Sequence, residues 1–150
     1  MSELEQMIAG LTLPDHNAAY ECLKQLQARS AASNEVYAYF DLFAQMMDSK
    51  HSYIRTRGLL LIAANARWDV DYKIDELIDH YLRHIEDDKP ITARQCIQAL
   101  PELAKHKPEL VPDICRALRQ ANTGRYQPTM QPLVQKDIAG ALKRIQAAQQ

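Results

Sequence analysis

Apolar residues recur at steps of three and four along most of the chain, a spacing that places them on one face of an α-helix. The segment after Pro90 shows this most clearly. Proline suits the first helical position, and the carboxylates of Asp87 and Asp88 can cap the free backbone N–H groups. Pro101 removes one backbone hydrogen bond, so we expect this helix to kink or end there. Its apolar positions are Ala93, Cys96, Ile97, Leu100, Leu103 and Ala104.

The same spacing predicts eight helices and no strand. The fourth is apolar nearly all round from Gly58, which indicates that it is covered on several sides. Short connections favour four antiparallel pairs, so we predict an all-α fold in which the pairs stack around one core, as a single domain over 1–150. The predicted helices cover residues 3–11, 15–28, 35–47, 52–66, 71–86, 90–104, the segment from the prolines at 108 and 112 to 120, and 130–148.

The third predicted helix combines aromatic residues and methionines at helical spacing. We interpret this stripe as core, and a peptide-binding face is the alternative. Its members are Val36, Tyr39, Phe40, Phe43, Met46 and Met47.

An aspartate and an arginine recur together along the chain. Asp48 precedes Arg55 by seven positions, and Asp87 precedes Arg94 by seven. The two arginines are 39 residues apart. A period of roughly 20 to 50 residues is typical of stacked repeats.

These two segments resemble the turn and second helix of HEAT repeats. The resemblance implies a right-handed α-solenoid of about four antiparallel helix pairs, a HEAT-like superhelix whose second helices line the concave side. It also implies that the aspartate and the following arginine bond between neighbouring repeats and align the stack. The residues that carry the resemblance are Asp48, Ile54, Arg55, Gly58, Leu61, Asp87, Arg94, Ile97 and Leu100.

The outer two units depart from this pattern. In the last unit Lys136 occupies the arginine position and Thr129 the aspartate position, whereas the first unit has Asp15 but Cys22 in the arginine position. End units of a stack are atypical because one side faces water.

The length and composition are those of an ordinary globular chain. With 150 residues, of which 47% are hydrophobic, the chain can bury a substantial core. We see no secretory signal at the N-terminus and no apolar run near the roughly 20 residues that span a bilayer. Cys22, Cys96 and Cys115 are widely spaced, so we predict free thiols in a reducing cytoplasm and no membrane association.

The sequence offers little catalytic chemistry. It has no glycine-rich phosphate loop, no G-x-S-x-G and no H-E-x-x-H. His80 and His84 lie four apart, with Glu76 four before His80, which is a spacing that could hold zinc. We interpret them as a solvated helix face, and the carboxylates around residues 69–79 as acids favoured at a helix N-terminus. We therefore predict no enzyme activity, no cofactor and no metal site.

We predict a non-enzymatic scaffold or adaptor that binds another protein, because stacked helix pairs present a long ridged surface. Arg55 and Arg94 are expected to be structural, each tied to its aspartate. The predicted partner-binding residues, taken as exposed positions of the second helices, are Arg57, Gln95, Gln98, Lys136 and Lys143.

Nucleic-acid binding is the alternative function. Residues 1–104 carry 10 basic and 16 acidic side chains, whereas residues 105–150 carry 8 and 3. On one surface, the basic residues of the C-terminal segment would suit phosphates. Some helical-repeat proteins that resemble HEAT stacks are DNA glycosylases, which have a cluster of acidic and aromatic residues. The segment Arg67–Asp69 weakly resembles that cluster, but we expect no catalysis. Apart from Lys105, at the start of the segment, the basic residues are Lys107, Arg116, Arg119, Arg125, Lys136, Lys143 and Arg144.

A third alternative is a regulatory subunit, or a relative of a longer solenoid, that is stable only within an assembly. The sequence identifies neither the partner nor the oligomeric state.

Overall fold

A computed structural model describes residues 1–149, and over that range the chain is all-helical with eight α-helices and no β-strand. This confirms the predicted all-α class. Five short 3-10 segments adjoin the helices at Val36–Tyr39, Ala66–Trp68, Arg83–Glu86, Pro108–Leu110 and Thr123–Arg125. The α-helices are α1 (Glu3–Gly10), α2 (His16–Ala32), α3 (Phe40–Met46), α4 (Ser52–Ala64), α5 (Lys73–Leu82), α6 (Pro90–His106), α7 (Val111–Gln120) and α8 (Gln131–Ala148).

Helix α6 passes through Pro101, so the alternative that it ends there is wrong, and a kink at the proline stays a prediction. The helix continues to His106, where the backbone N–H of Lys107 donates to the carbonyls of Leu103 and Ala104. Pro101 is itself buried. The apolar face of α6 is therefore packed on both sides of the proline, which offsets the one missing backbone bond.

The chain forms two compact units, one of Met1–Asp69 and one that begins at Val70. In the first unit, α1 packs on α2, α3 on α4, and α2 on α4. Gly58 permits the close approach of α3 to α4, because a Cβ there would lie 2.7 Å from the Phe43 carbonyl oxygen. The fully buried side chains of this unit include Leu11, Leu26, Phe40, Phe43, Leu59, Leu61 and Ile62.

The segment Arg67–Asp69 joins the end of α4 to neighbouring elements of the first unit. The indole Nε1–H of Trp68 donates to the carbonyl oxygen of Ser30 at 2.7 Å. The hydroxyl of Tyr37 donates to the buried carboxylate of Asp69 at 2.6 Å. The aromatic and acidic residues of this segment therefore have structural contacts inside the fold.

In the second unit, α6 packs extensively on α8, and α7 contacts both of these helices. The 3-10 segment that extends α5 also packs on α6. The fully buried side chains of this unit include Ile74, Tyr81, Ile85, Ile97 and Leu100.

The structure corrects the expected bond between Arg94 and Asp87. Nε–H of Arg94, on α6, donates to Oδ2 of Asp137, on α8, at 2.6 Å. Asp87 instead accepts from the backbone N–H of Lys89 at 2.9 Å and lies 2.7 Å from Nδ1 of His84. The side chain of Arg94 therefore contacts α8 rather than the turn that precedes α6.

The guanidinium of Arg55 donates to the backbone carbonyls of Ser49 and Lys50, at 3.1 Å and 3.3 Å. A bond between Arg55 and Asp48 stays a prediction.

The three cysteines are free thiols, as predicted. Cys96 and Cys115 are buried, and Cys22 is half-buried. Burial raises the pKa of the Cys96 thiol well above its ordinary value, so this thiol is protonated at neutral pH. Within the described residues, no helix combines the length and the apolar character that crossing a membrane requires.

Candidate functional site: a cavity beside Arg57

A cavity of about 400 Å³ lies in the first unit, between the α1–α2 connection and the N-terminal half of α4. The connection contributes Thr12–Pro14, and α2 contributes its first residue, His16. The remaining lining residues come from α4 and the residue before it, and are His51, Tyr53, Ile54 and Arg57.

Local sequence explains how the connection is placed. A Cβ at Gly10 would lie 2.4 Å from the sulfur of Cys22, so glycine lets the end of α1 approach α2 this closely without displacing the Cys22 side chain. The carboxylate of Asp15 then accepts from the backbone N–H groups of Asn17 and Ala18, which fixes the start of α2. The chain between these points leaves Leu13 47% exposed beside the cavity.

Arg57 is the charged group of this cavity, and it is only 6% exposed. Its Nη1–H donates to the carbonyl oxygen of Leu11 at 2.8 Å, and its Nη2 lies 3.4 Å from Nδ1 of His16. The prediction that Arg57 is exposed is therefore wrong. Position 57 begins the run of α4 in which Gly58 and Leu59 are also buried, because other helices cover α4 there.

Neither group that Arg57 contacts carries a negative charge. Among residues 1–149, no carboxylate lies within ion-pair distance of its guanidinium. The carboxylate of Asp15, next to His16 in sequence, is occupied by the backbone of α2. Burial lowers the pKa of Arg57, and the nearby Tyr53 opposes that shift. An arginine stays protonated at neutral pH, so the cavity contains a buried positive charge that the described residues do not compensate.

The ring of Tyr53 packs beside the imidazole of His16, with ring centroids 4.1 Å apart and an interplanar angle of 35°. Tyr53 is nevertheless 58% exposed. Together with Leu13 it forms an aromatic and aliphatic rim beside the buried charge. This combination of apolar surface and a few polar groups is typical of a binding site.

The other predicted partner-binding residues lie in the second unit and do not line this cavity. Gln95 is half-buried on α6, and Gln98 is exposed on the same helix. Lys136 and Lys143 are exposed on α8, which packs against α6. Their role in binding stays a prediction.

The basic residues of the C-terminal segment fall into two groups. Lys107 is buried, with its Nζ 2.7 Å from Oδ1 of Asp75. Arg116 and Arg125 form ion pairs with Asp113 and Asp88, each at 3.0 Å. The exposed basic residues of the segment outside these pairs are Lys105, Arg119, Lys136, Lys143 and Arg144.

The histidine pair of α5 and its extension also has local contacts. The rings of His80 and His84 have centroids 5.9 Å apart, and His84 contacts Asp87. Over the residues described, no group of three histidine, cysteine or acidic side chains is arranged to hold a metal ion.

Sequence reasoning missed Leu13, His16 and Tyr53 as members of a site. One signal was available, because Tyr53 and Arg57 are four positions apart and lie on the same face of a helix. His16 and Leu13 reach them only through the packing of α2 beside α4, which the spacing of apolar residues does not specify.

Comparison of the chain with family models, with curated proteins and with solved structures finds no match.

Proposed function

We propose that this chain is a HEAT-like repeat protein, a right-handed α-solenoid of helix pairs, that binds another protein and acts as a non-enzymatic scaffold or adaptor in the cytoplasm. Its binding site is the cavity beside Arg57. The single observation that carries the proposal is the pairing of an uncompensated, buried arginine with the exposed side chains of Leu13 and Tyr53.

Helix contacts within each unit support the repeat architecture. In a HEAT-like stack the second helices of neighbouring pairs pack side by side, and here α2 packs on α4 and α6 packs on α8. The ion pair of Arg94 with Asp137 joins α6 to α8, so it links neighbouring second helices. This is the aligning role that the resemblance gives to the arginine, with a different aspartate as partner.

The rim of the cavity supports a polypeptide as the ligand. Tyrosine and arginine are the residue types that dominate the energy of protein interfaces, most of all where apolar surface surrounds them. Leu13 and Tyr53 offer such surface next to Arg57. A partner side chain could thus fill the cavity while flanking residues cover the rim.

Site-specific photocrosslinking tests this proposal. Benzoylphenylalanine replaces Tyr53 at the rim, or Tyr20 as the matched control, a tyrosine of the same unit that is 55% exposed but does not line the cavity. We expect irradiation of host cells to join one discrete polypeptide to position 53 and not to position 20. An absence of adducts at position 53, or the same adducts at both positions, would contradict the proposal.

Nucleic-acid binding, the alternative function, would depend on the exposed cations of α7 and α8. A gel shift with duplex DNA at low salt, lost on Lys136→Glu together with Lys143→Glu, would favour it over protein binding. The ion pairs of Lys107, Arg116 and Arg125 leave fewer basic groups for phosphates than the sequence suggests.

A further inference from the structure

We infer that the cavity beside Arg57 binds a carboxylate of the partner polypeptide, with an apolar side chain next to that carboxylate packed on Leu13 and Tyr53. This inference rests on the proposed function and specifies the chemistry of its ligand.

The contacts of the Arg57 guanidinium do not balance its positive charge. A guanidinium has five N–H donors, and the structure gives this one a carbonyl oxygen and an imidazole nitrogen as its contacts. Neither contact carries a negative charge. An anion entering the cavity would therefore supply the one interaction that a buried cation most needs.

Other arginines are compensated by acidic residues of the same chain. Arg29 contacts Glu3 at 2.9 Å and Glu35 at 3.1 Å, and Arg94 contacts Asp137 at 2.6 Å. The side chains of Arg29 and Arg94 are 29% and 28% exposed, so water also reaches them. Arg57 is more buried than either and has no such acid among the described residues, which sets it apart as a site for an external anion.

The composition of the cavity favours a carboxylate over a phosphate. The planar guanidinium fork matches a carboxylate in a two-bond arrangement, and one positive charge balances one negative charge. Among the described residues that line the cavity, Arg57 is the only arginine or lysine, and Leu13, Pro14 and Ile54 add apolar surface beside His16 and His51. The single guanidinium would balance only one of the two negative charges of a phosphate.

The size and rim of the cavity favour a polypeptide as the source of the carboxylate. A space of about 400 Å³ is much larger than a carboxylate group alone. Leu13 and Tyr53 continue the apolar surface outward, where they are 47% and 58% exposed. A peptide can place its carboxylate on Arg57 and cover this surface with the neighbouring side chain.

Three capped peptide probes test the inference, by ¹H–¹⁵N correlation spectra of the full chain during titration. Acetyl-Leu-Phe presents a C-terminal carboxylate, acetyl-Leu-Glu-Phe-amide presents a side-chain carboxylate, and acetyl-Leu-Gln-Phe-amide presents neither. We expect at least one carboxylate probe to bind roughly 10-fold or more tightly than the glutamine peptide, the ratio expected for a charge-assisted hydrogen bond. Whichever carboxylate probe binds identifies the source, and either one supports the inference.

Two pairs of variants locate the binding. Arg57→Gln should weaken the carboxylate probe roughly 10-fold or more, whereas Arg55→Gln, on the same helix but donating to local backbone carbonyls, should leave it within about 2-fold. Tyr53→Ala should weaken binding, and Tyr20→Ala should not. If circular dichroism shows that Arg57→Gln does not fold, the Tyr53 and Tyr20 pair decides the question.

Equal affinity for the glutamine peptide, or unchanged affinity in a folded Arg57→Gln, would overturn the inference. Binding of sodium acetate or inorganic phosphate as tight as that of the peptides would overturn the assignment to a polypeptide carboxylate. A photocrosslink at position 53 that persists in Arg57→Gln would also overturn it while leaving protein binding intact. Loss of the crosslink from the otherwise unchanged chain would instead remove the proposed function.

Discussion

Two buried cations, Lys107 in the second unit and Arg57 in the first, are nearly equal in exposure, at 3% and 6%. Their surroundings differ in charge. The Nζ of Lys107 lies 2.7 Å from Asp75 and 4.6 Å from the ring centroid of Tyr72. Arg57 contacts the Leu11 carbonyl and the His16 ring. Lys107 is compensated by an acid of its own unit, whereas among the described residues Arg57 has no negatively charged partner.

We interpret this difference as that between a structural charge and a charge that binds a ligand. A buried ion pair contributes little net stability, but removing one partner is costly because the other charge is left alone in a low-dielectric environment. A buried cation without a counterion therefore lowers the stability of the unliganded chain. An anionic ligand bound to Arg57 would remove this free-energy cost, and that gain would add to the affinity for the ligand.

Removal of the Lys107 counterion should have the largest effect on stability. Asp75→Asn keeps the shape of the side chain but removes the carboxylate that lies 2.7 Å from the Lys107 ammonium, while the carboxylate of Glu109 remains at 3.9 Å. We expect a loss of about 2 kcal/mol in the free energy of unfolding, below the range for a fully broken buried pair because the Asp75 side chain is 22% exposed and Glu109 remains near Lys107. Urea denaturation monitored by circular dichroism measures the loss.

Asp79→Asn is the matched control, since Asp79 is an exposed acid on the same helix. It should change the unfolding free energy by less than about 0.5 kcal/mol. Equal losses in the two variants would show that Asp75 does not compensate Lys107, and the comparison of the two cations would fail.

Arg57→Met should have a smaller effect on stability than Asp75→Asn. The variant loses the hydrogen bond to the Leu11 carbonyl, which is worth about 1 kcal/mol, and no ion pair is broken. Removing an uncompensated charge from the interior also relieves its desolvation cost. We therefore expect a loss of about 1 kcal/mol or less by the same urea measurement. A loss as large as that of Asp75→Asn would mean that Arg57 is structural.

Arg94 has an acidic partner like Lys107 but is more exposed, and its replacement should have the smallest effect on the free energy of unfolding. Its pair with Asp137 is partly exposed, at 28% and 11% of the two side chains, so water and salt weaken the attraction. The hydrogen bond with Asp137 nevertheless raises the pKa of Arg94, which indicates a favourable contact. We expect Arg94→Ala to lower the unfolding free energy by about 0.5 to 1 kcal/mol.

A double-mutant cycle with Asp137→Ala isolates the pair from other effects of truncation. A coupling energy of zero between the two positions would count against the link between α6 and α8.

The helices could be predicted from the sequence because the spacing of apolar residues is a local property. Even there, Pro101 shows the limit, since the packing of α6 on α8 outweighs the bond that the proline removes. Partners of charged residues could not be predicted. Arg94 bonds to a residue 43 positions away rather than to Asp87, seven positions before it. Which acid lies opposite a given arginine depends on how helices pack, and apolar spacing carries no information about that.

The candidate site could be predicted only in part. Arg57 was identified, but as an exposed residue, although α4 is apolar nearly all round and so covered on several sides. A charged residue within such a helix is a signal of a buried, functional charge, and that signal was available. The contributions of Leu13 and His16 depend on the path of the α1–α2 connection, which rests on close contacts such as that of Gly10 with Cys22.

The most direct test of the central claim is the side-chain Nε–H resonance of Arg57 in the ¹⁵N-labelled chain, followed during titration with acetyl-Leu-Phe and acetyl-Leu-Glu-Phe-amide. If Arg57 is a buried cation held for a partner's carboxylate, its resonance shifts and saturates with at least one of these probes, while that of Arg94, already paired with Asp137, does not move. An Arg57 resonance that stays fixed with both probes, or that moves no more than that of Arg94, would contradict the claim.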